Sequence, residues 1–594
     1  MILPKTQRLA LLRQRLTAQG LAGYVIPRQD EFQGEYVAAY AERLKWISGF
    51  SGSWGSAIVL LKTAAIFVDG RYTVQVRKQV PAKQWLHKSL IEEPPTEWLK
   101  QSLKKGQKLG YDPMLFTIAE AKRYASACAE VGAQFVAISP NLIDEIWHDQ
   151  SARPQAPLFA QPLVYAGRST AQKLKQLVAE LNKQRRDGVL LTNPSSVAWL
   201  FNLRGSDVPF TPVVLANALV QADGRAIIFI ETSRLAANLR KALGSKVSFQ
   251  PPANMAKIFR GFAGKVVQLD EHSAPDFAGE QLRKAKARII VASDPCTLPM
   301  ACKNDVEQNG ARDAQLRDGA ALSRFLHWFS LEAPKGKLDE LQAALKLREI
   351  REETGKLVDL SFETIPAAGP NAALPHYHLP EKGGREIKMN EIFLIDSGGQ
   401  YRDGTTDVTR TVIVGKASDE MMDRFTRVLK GMIAISVARF PAGTTGAHID
   451  ALARNSLWAG GFDFDHGTGH GVGSFLSVHE GPQRISKAGH VALKPGMIIS
   501  NEPGYYKLNH YGIRTENLLL VSQATKIKGG DRPMLGFETL TLAPIDRGLI
   551  DTRLLTRDEL RWLDTYHGRV LSELGPMVPG DTRNWLKAAC APLA

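Results

Sequence analysis

Five residues in the second half of the chain have the types and surroundings expected of ligands for hard cations. Asp396 ends an apolar run, Ile392-Phe393-Leu394-Ile395, and Asp407 follows across a Gly-containing turn, in EIFLIDSGGQYRDGTTDVTRTV. Two β-type runs joined in this way read as a hairpin or a bulged strand pair. A lone Asp beside Gly is ordinarily a turn cap. Two acids beside one apolar sheet face are different, because like charges cannot both ionise there without a cation. HGTGHGVG then places His466 and His470 in a loop with glycine at every second position. MIIS leads into Asn501-Glu502-Pro503-Gly504, and GIRTENLLLV sets Arg514 and Glu516 against Leu518-Leu519-Leu520-Val521. A carboxylate abutting that run is buried and must find compensation.

Taken together, Asp396, Asp407, His470, Glu502 and Glu516 offer four carboxylates and one imidazole. Four negative charges balance two divalent cations, and oxygen-rich ligation with one His suits Mn²⁺, with Co²⁺ or Zn²⁺ as alternatives. Two such ions about 3.5–4 Å apart share a water or hydroxide as nucleophile and polarise a carbonyl. The Gly-rich loop is no dinucleotide fingerprint, because its glycines at 467, 469, 471 and 473 fail the G-x-G-x-x-G spacing. The chain also lacks HExxH, a P-loop and a GxSxG elbow.

The elements that must hold these residues follow from patterning. At 594 residues the chain exceeds a single core, and length alone suggests about three or four domains. The front half carries a weak duplication: helix, strand, aromatic-Leu-Gly segment, strand, Asp-Gly-Arg turn and strand recur at a spacing of about 150 residues. Strands alternating with helices make each copy an α/β unit. The Pro-rich ARPQAPLFAQP reads as the linker between them. The expected domains are 1–157, 158–300 and 301–594, the last with a C-terminal extension from about 546. A long helical pattern opens the third domain and another ends at Gly355. From Ser361 to about Ile545 the chain is strand, turn and glycine, broken by helices near Asp419–Arg439 and Ala447–Trp458, an α+β pattern.

Composition narrows the function classes. With 44% hydrophobic and 23% charged residues the profile is globular, and no apolar run approaches the roughly 18 residues of a membrane span. The formal charge of +15 is dispersed over the chain, which describes a solvated basic surface and not a nucleic-acid site. The four cysteines show no CxxC spacing, which suits a reducing compartment. The first twenty or so residues are basic and acid-free, yet Leu9, Leu12 and Leu16 recur at helical spacing into a strand-like AGYVIP, so a first domain helix and a cytoplasmic location are expected.

The order and spacing of IDSGGQYRDGTTDVTRT, HGTGHGVG, SVHEGP, SNEPGYY and GIRTEN resemble the aminopeptidase P branch of the pita-bread dinuclear metallopeptidases. GFSGSWGSAIV, DGRYTVQ, NLIDEIWHDQSARP and LTRDELRWLDTYHGRV extend the resemblance to the long, three-domain cytosolic form over nearly the whole chain. It implies two creatinase-like α/β domains before an α+β pita-bread catalytic domain. The family's metal ligands fall on Asp396, Asp407, His470, Glu502 and Glu516, with Asp407 bridging the ions and Asp396 binding one. Its further active-site histidines fall on His376, His466 and His479, although His378 stands two residues from the first. Arg514 matches an arginine that orients ligand carboxylates. The implied activity is hydrolysis of the N-terminal Xaa–Pro bond of peptides with proline at the second position, through a metal-bridging hydroxide. Glu502 is the implied proton shuttle and His479 the implied oxyanion stabiliser; a homodimer is implied as well. The rival readings are a prolidase restricted to Xaa-Pro dipeptides and a non-catalytic pita-bread binding module.

Overall fold

The alternation of helix and strand in the front half produces two six-stranded sheets of one design. The first runs Leu86–Ser89, Ala64–Val68, Ser56–Leu60, Gly23–Pro27, Lys108–Tyr111, Gln134–Ala137. The second runs Val247–Gln250, Ala226–Phe229, Asn217–Gln221, Gly188–Leu191, Val266–Leu269, Arg288–Val291. Both have the same polarity: each outer pair is parallel, and the strands between are joined by two antiparallel pairings and one parallel pairing. The two Asp-Gly-Arg turns make the same local bond, Asp69 accepting from Arg71 N and Asp223 from Arg225 N, each at 3.0 Å. Contrary to expectation they are not equivalent: Asp223 closes the hairpin between Asn217–Gln221 and Ala226–Phe229, whereas Asp69 follows Ala64–Val68 and caps the short helix Gly70–Tyr72. Side chains alternate across a pleated strand. Accordingly Tyr24, Ile26, Val59 and Ile66 join one core of the first sheet, while Val25, Ile58, Ala65 and Phe67 join the core on its other face.

This computed structural model describes residues 4–380 and 383–593. The two sheets belong to one unit, Met1–Gln161 with Arg168–Cys296, and the second unit comprises Pro162–Gly167 with Thr297–Ala594. Among the described residues no helix is long and apolar enough to cross a membrane.

The second unit is α+β and holds the candidate site. Its long helix, Asp305–Glu332, starts where Asn304 and Glu307 form a reciprocal capping box. The strand Glu391–Ser397 lies between Ile365–Ala368 and Val408–Val414, antiparallel to both. Phe393 and Ile395 pack with Phe325 and Phe329 of the long helix. Ile392 joins Leu429 and Met432 of the helix Asp419–Ser436 in another core. Burying each such side chain stabilises by about 1.5–3 kcal/mol. A second sheet has the order Glu480–Ile485, Gly469–Gly471, Ile498–Asn501, Asn517–Val521, Phe537–Thr539.

Of the expected hairpin or bulged strand pair around Asp396 and Asp407, the structure has the hairpin, with a second pairing nested in its connection. Glu391–Ser397 pairs directly with Val408–Val414. The intervening Gly399–Tyr401 and Gly404–Thr405 form a small hairpin that belongs to a different sheet, alongside Leu357–Leu360. The chain crosses itself where this excursion begins. A Cβ at Gly398 would lie 2.0 Å from the Thr406 carbonyl oxygen, so only glycine fits there.

Candidate metal centre

Two sheets of the second unit and the segments that follow their strands bring four acids and one imidazole to one place. Asp396 is the penultimate residue of its strand, and Asp407 immediately precedes Val408–Val414. His470 is the middle residue of Gly469–Gly471. Glu502 follows Ile498–Asn501, and Glu516 lies between Tyr511–Arg514 and Asn517–Val521. Single ligand atoms of Asp407, His470 and Glu516 lie within 4.8 Å of one another. His470 Nε2 stands 3.4 Å from Asp407 Oδ2 and 3.4 Å from Glu502 Oε1. Close approach of backbone makes this possible: a Cβ at Gly469 would lie 1.9 Å from the Ser500 carbonyl oxygen.

The donor set fits hard or borderline divalent cations. His470 Nδ1 lies 2.9 Å from the Gly471 carbonyl, which takes that N–H and leaves the Nε2 lone pair facing the acids. Asp396 Oδ1 and Glu516 Oε1 are buried oxygens without a hydrogen-bond partner. Desolvated carboxylate oxygens of that kind need a cation or a proton. Electrostatics agree. Burial raises the Asp396 carboxyl above its usual range, with Arg514 opposing and Asp407 adding to the shift. Burial likewise raises Glu502, with His470 and Arg514 opposing. Glu516 is pushed well up by burial and then by Asp407, Glu502 and Asp396. For His470, burial disfavours the charged ring, but the hydrogen bond to Asp407 and the charges of Glu502 and Asp407 outweigh it and raise the group to about 9. The cluster thus has an excess of negative potential that protons alone would relieve.

Arg514 stabilises this cluster from one side. Its Nη2 donates to Asp396 Oδ2 at 2.6 Å, its Nε to Thr409 Oγ1 at 3.1 Å and its Nη1 to the Tyr506 hydroxyl at 2.8 Å. Tyr506 in turn lies 2.8 Å from His466 Nε2, and His466 Nδ1 lies 2.8 Å from the Gly467 carbonyl. With Nδ1–H donated to the Gly467 carbonyl, His466 Nε2 accepts from the Tyr506 hydroxyl, which itself accepts from Arg514, so Arg514 is the common donor linking Asp396 on one side and Tyr506 and His466 on the other. Replacing Arg514 by Lys keeps the charge but cannot hold three acceptors in a planar fork. Arg514→Lys is expected to cost about 10–100-fold in kcat/KM with the fold retained, as measured by steady-state assay beside circular dichroism. Near-parental kinetics would refute this role.

His479 is exposed, and its ring stands edge-to-face on His470 at a centroid distance of 4.4 Å. His376 is half-buried in the turn after the short helix Gly369–Ala373. Its neighbour Tyr377 anchors that turn on Glu340, whose buried carboxylate accepts from Tyr377, Asn371 and the backbone of Ala368 and Arg385. His378 is exposed and pairs with Glu363 at 2.9 Å, away from this anchor. Sequence reasoning passed over Thr409, Ser500 and Tyr506. Thr409 Oγ1 donates to Glu516 Oε2 at 2.8 Å, and Ser500 Oγ donates to Glu502 Oε1 at 3.0 Å. The signal available for Thr409 was its strand parity: Thr409 and Thr411 share a face with Asp407, and Thr411 Oγ1 donates to the Arg514 carbonyl at 2.8 Å.

Comparison with known proteins gives this geometry its lineage. A family model described as Creatinase/Prolidase N-terminal domain matches residues 8–146, and a second of the same description matches 149–307. Metallopeptidase family M24 matches residues 309–523, and the C-terminal region of peptidase_M24 matches 533–593. The chain is 39% identical over 607 residues to a "Probable Xaa-Pro aminopeptidase P" of Coccidioides posadasii, covering 99% of each. It is 41% identical over 612 residues to a protein of the same name from Fusarium vanettenii, covering 99% of this chain and 98% of the other. The crystal structure of an X-prolyl aminopeptidase from Caenorhabditis elegans, described as a cytosolic enzyme with a di-nuclear active site, superposes over 100% of both chains with a TM-score of 0.94 and 34% identity. With two α/β creatinase-type domains, an M24 domain and relatives matched from end to end, this chain belongs to metallopeptidase family M24, within its Xaa-Pro aminopeptidase P group.

Proposed function

We infer that this protein is a metal-dependent aminopeptidase that hydrolyses the N-terminal Xaa–Pro bond of peptides. The observation that carries the reading is the convergence of Asp396, Asp407, His470, Glu502 and Glu516 in one cluster, its aspartates and Glu516 buried and His470 and Glu502 half-buried, with orphaned carboxylate oxygens, in a chain matched end to end by aminopeptidase P relatives. These five residues would hold a pair of divalent cations. When bound, such ions lower the pKa of a water molecule and polarise a carbonyl. Mn²⁺ is the ion this oxygen-rich set suits best. By the same family resemblance, the protein acts in the cytoplasm as a homodimer.

The remaining steps belong to the chain's own groups. Proline has no amide N–H, so a site that recognises the scissile bond through that donor is excluded, and positioning must come from the free amine and the ring. The carboxylate cluster attracts the amine of the substrate's first residue. Glu502 accepts the proton released by the attacking water and delivers it to the departing proline nitrogen. Ser500 Oγ fixes the Glu502 carboxylate by its bond to Oε1. His479, exposed at the edge of His470, donates to the developing oxyanion. His376 and His466 line the substrate position, His466 also securing Tyr506 behind Arg514.

An assay separates this reading from a prolidase. The metal-stripped protein, resupplied stepwise with Mn²⁺, Co²⁺ or Zn²⁺, is expected to release the first residue from Xaa-Pro-Xaa tripeptides and Arg-Pro-Pro-type peptides. Cleavage of Xaa-Pro dipeptides alone would assign it as a dipeptidase. The absence of any metal-restored hydrolysis would leave a binding module.

A further inference from the structure

Behind Glu516 lies a buried cation whose hydrogen bonds all end on neutral groups. Arg410 is 1% exposed. Its Nε donates to the Pro544 carbonyl at 3.1 Å, and its Nη1 donates to the carbonyls of Thr409 at 2.9 Å and Glu516 at 2.7 Å. Its Nη2 donates to Asn517 Oδ1 at 2.9 Å, the Ala543 carbonyl at 3.0 Å and the Tyr566 hydroxyl at 2.9 Å. A guanidinium carries five N–H donors, and these six acceptors satisfy them. Burying such a group without a carboxylate partner costs desolvation energy, and an apolar side chain of similar size often fills such a space at no loss of stability, so bulk and packing alone do not account for a guanidinium here.

The acceptors identify the purpose. Thr409 and Glu516 are joined three times: Thr409 Oγ1 donates to Glu516 Oε2 at 2.8 Å, Glu516 N donates to the Thr409 carbonyl at 3.2 Å, and Arg410 Nη1 clasps both carbonyls. Thr409 therefore fixes the carboxylate of Glu516, and Arg410 fixes its main chain. The other half of the fork reaches the C-terminal region. Tyr566 belongs to the helix Arg557–Leu574 and stacks on Trp562 with ring centroids 5.3 Å apart. Its hydroxyl is held in turn by Ala543 N at 3.2 Å and by the carbonyls of Ala543 and Thr541 at 3.0 and 3.2 Å. The strand that carries Thr409, the segment that carries Glu516 and the C-terminal helix thus meet on one guanidinium.

We propose that Arg410, anchored by Tyr566, is the positioning residue for Glu516, and that the C-terminal helix is a strut of the metal centre. The proposal rests on the reading of Glu516 as a metal ligand.

The test is calorimetric titration of Mn²⁺ into the metal-stripped full chain, with thermal unfolding and tripeptide kinetics at saturating metal. Arg410→Met is expected to weaken Mn²⁺ binding by about 10–100-fold, the usual effect of removing a group that orients a ligand. Arg410→Lys recovers part of the loss, and Tyr566→Phe moves affinity in the same direction by a smaller factor. KM for the tripeptide stays at the parental value in all three, because none of them touches the substrate. Folded Arg410→Met with parental Mn²⁺ affinity overturns the proposal, as does a fall in Tm with affinity unchanged. If Arg410→Met does not fold, Tyr566→Phe decides on the same criteria. Glu516→Gln is the reference: parental Mn²⁺ binding there overturns the ligand reading itself, whereas weakened binding there with intact binding in the Arg410 and Tyr566 variants overturns only the strut.

Discussion

Glu502→Gln is expected to lower kcat on an Xaa-Pro tripeptide by about 10²–10⁴-fold while the protein stays folded, the range over which a positioned proton-transfer group acts. The substitution is nearly isosteric, and Ser500 Oγ, 3.0 Å from Oε1, still has an oxygen to which it can donate. The backbone anchor, Glu502 N to the Thr468 carbonyl at 2.8 Å, is untouched. What the amide lacks is the basic oxygen that takes and returns a proton. It also removes one of the four acids, so a fall in metal affinity accompanies the kinetic loss. The two effects separate experimentally, because kcat is read at saturating Mn²⁺ and affinity by titration. A variant that retains more than about a tenth of parental kcat at saturating metal would deny Glu502 the shuttle role.

The parts of this site that sequence made legible are those where chemistry contradicts local patterning. Asp396 stood out because Ile392–Ile395 leads directly into it, and Glu516 because Leu518–Val521 leads away. Both are indeed buried, at 8% and 2% exposure. The recurring order of helix and strand announced two α/β sheets of one design, while the Asp-Gly-Arg turns that accompanied it proved a coincidence of local chemistry, one closing a hairpin and the other capping a helix. Thr409, by contrast, looked like ordinary β-strand composition, because Thr suits strands without any further reason. Its role appears only when Glu516, 107 positions later, is brought opposite. Tyr506 is equally silent, its function coming from Arg514 and His466 on either side. The excursion between Asp396 and Asp407 was misread as one turn because a glycine-rich run codes for reversal without saying how many. The crossing at Gly398, which sends Gly399–Thr405 into another sheet, is a tertiary contact with Thr406. Arg410 was hidden for a related reason. A basic residue in an alternating strand reads as a solvent-facing position, and only the C-terminal helix, more than 150 positions on, closes the space around it.

Chelation is expected to abolish hydrolysis and to destabilise the protein by an amount that grows with pH. The sign follows from the four groups whose affinities for protons are raised by folding. Burial, with the surrounding charges, lifts Asp396, Glu502 and Glu516. Against the penalty of burial, Asp407 and Glu502 lift His470 to about 9. In the metal-free protein the folded state therefore binds more protons than the unfolded chain, and stability falls as pH rises. The His470 contribution is complete below the unfolded value of about 6.5 and is lost as pH climbs through about 9. The carboxylates act in the same direction, beginning above their unfolded range of about 4. Divalent cations replace those protons, so the loaded site does not need them, and metal competes better as pH rises. Ion at about 100 times its Kd stabilises the folded unit by about 2.7 kcal/mol, a Tm increase of several degrees for a unit of this size. Thermal unfolding of the full chain at pH 6 and pH 9, with and without Mn²⁺, measures the prediction directly. The gap between the two forms should widen toward pH 9, and parallel pH profiles would show that these acids and His470 do not share a metal.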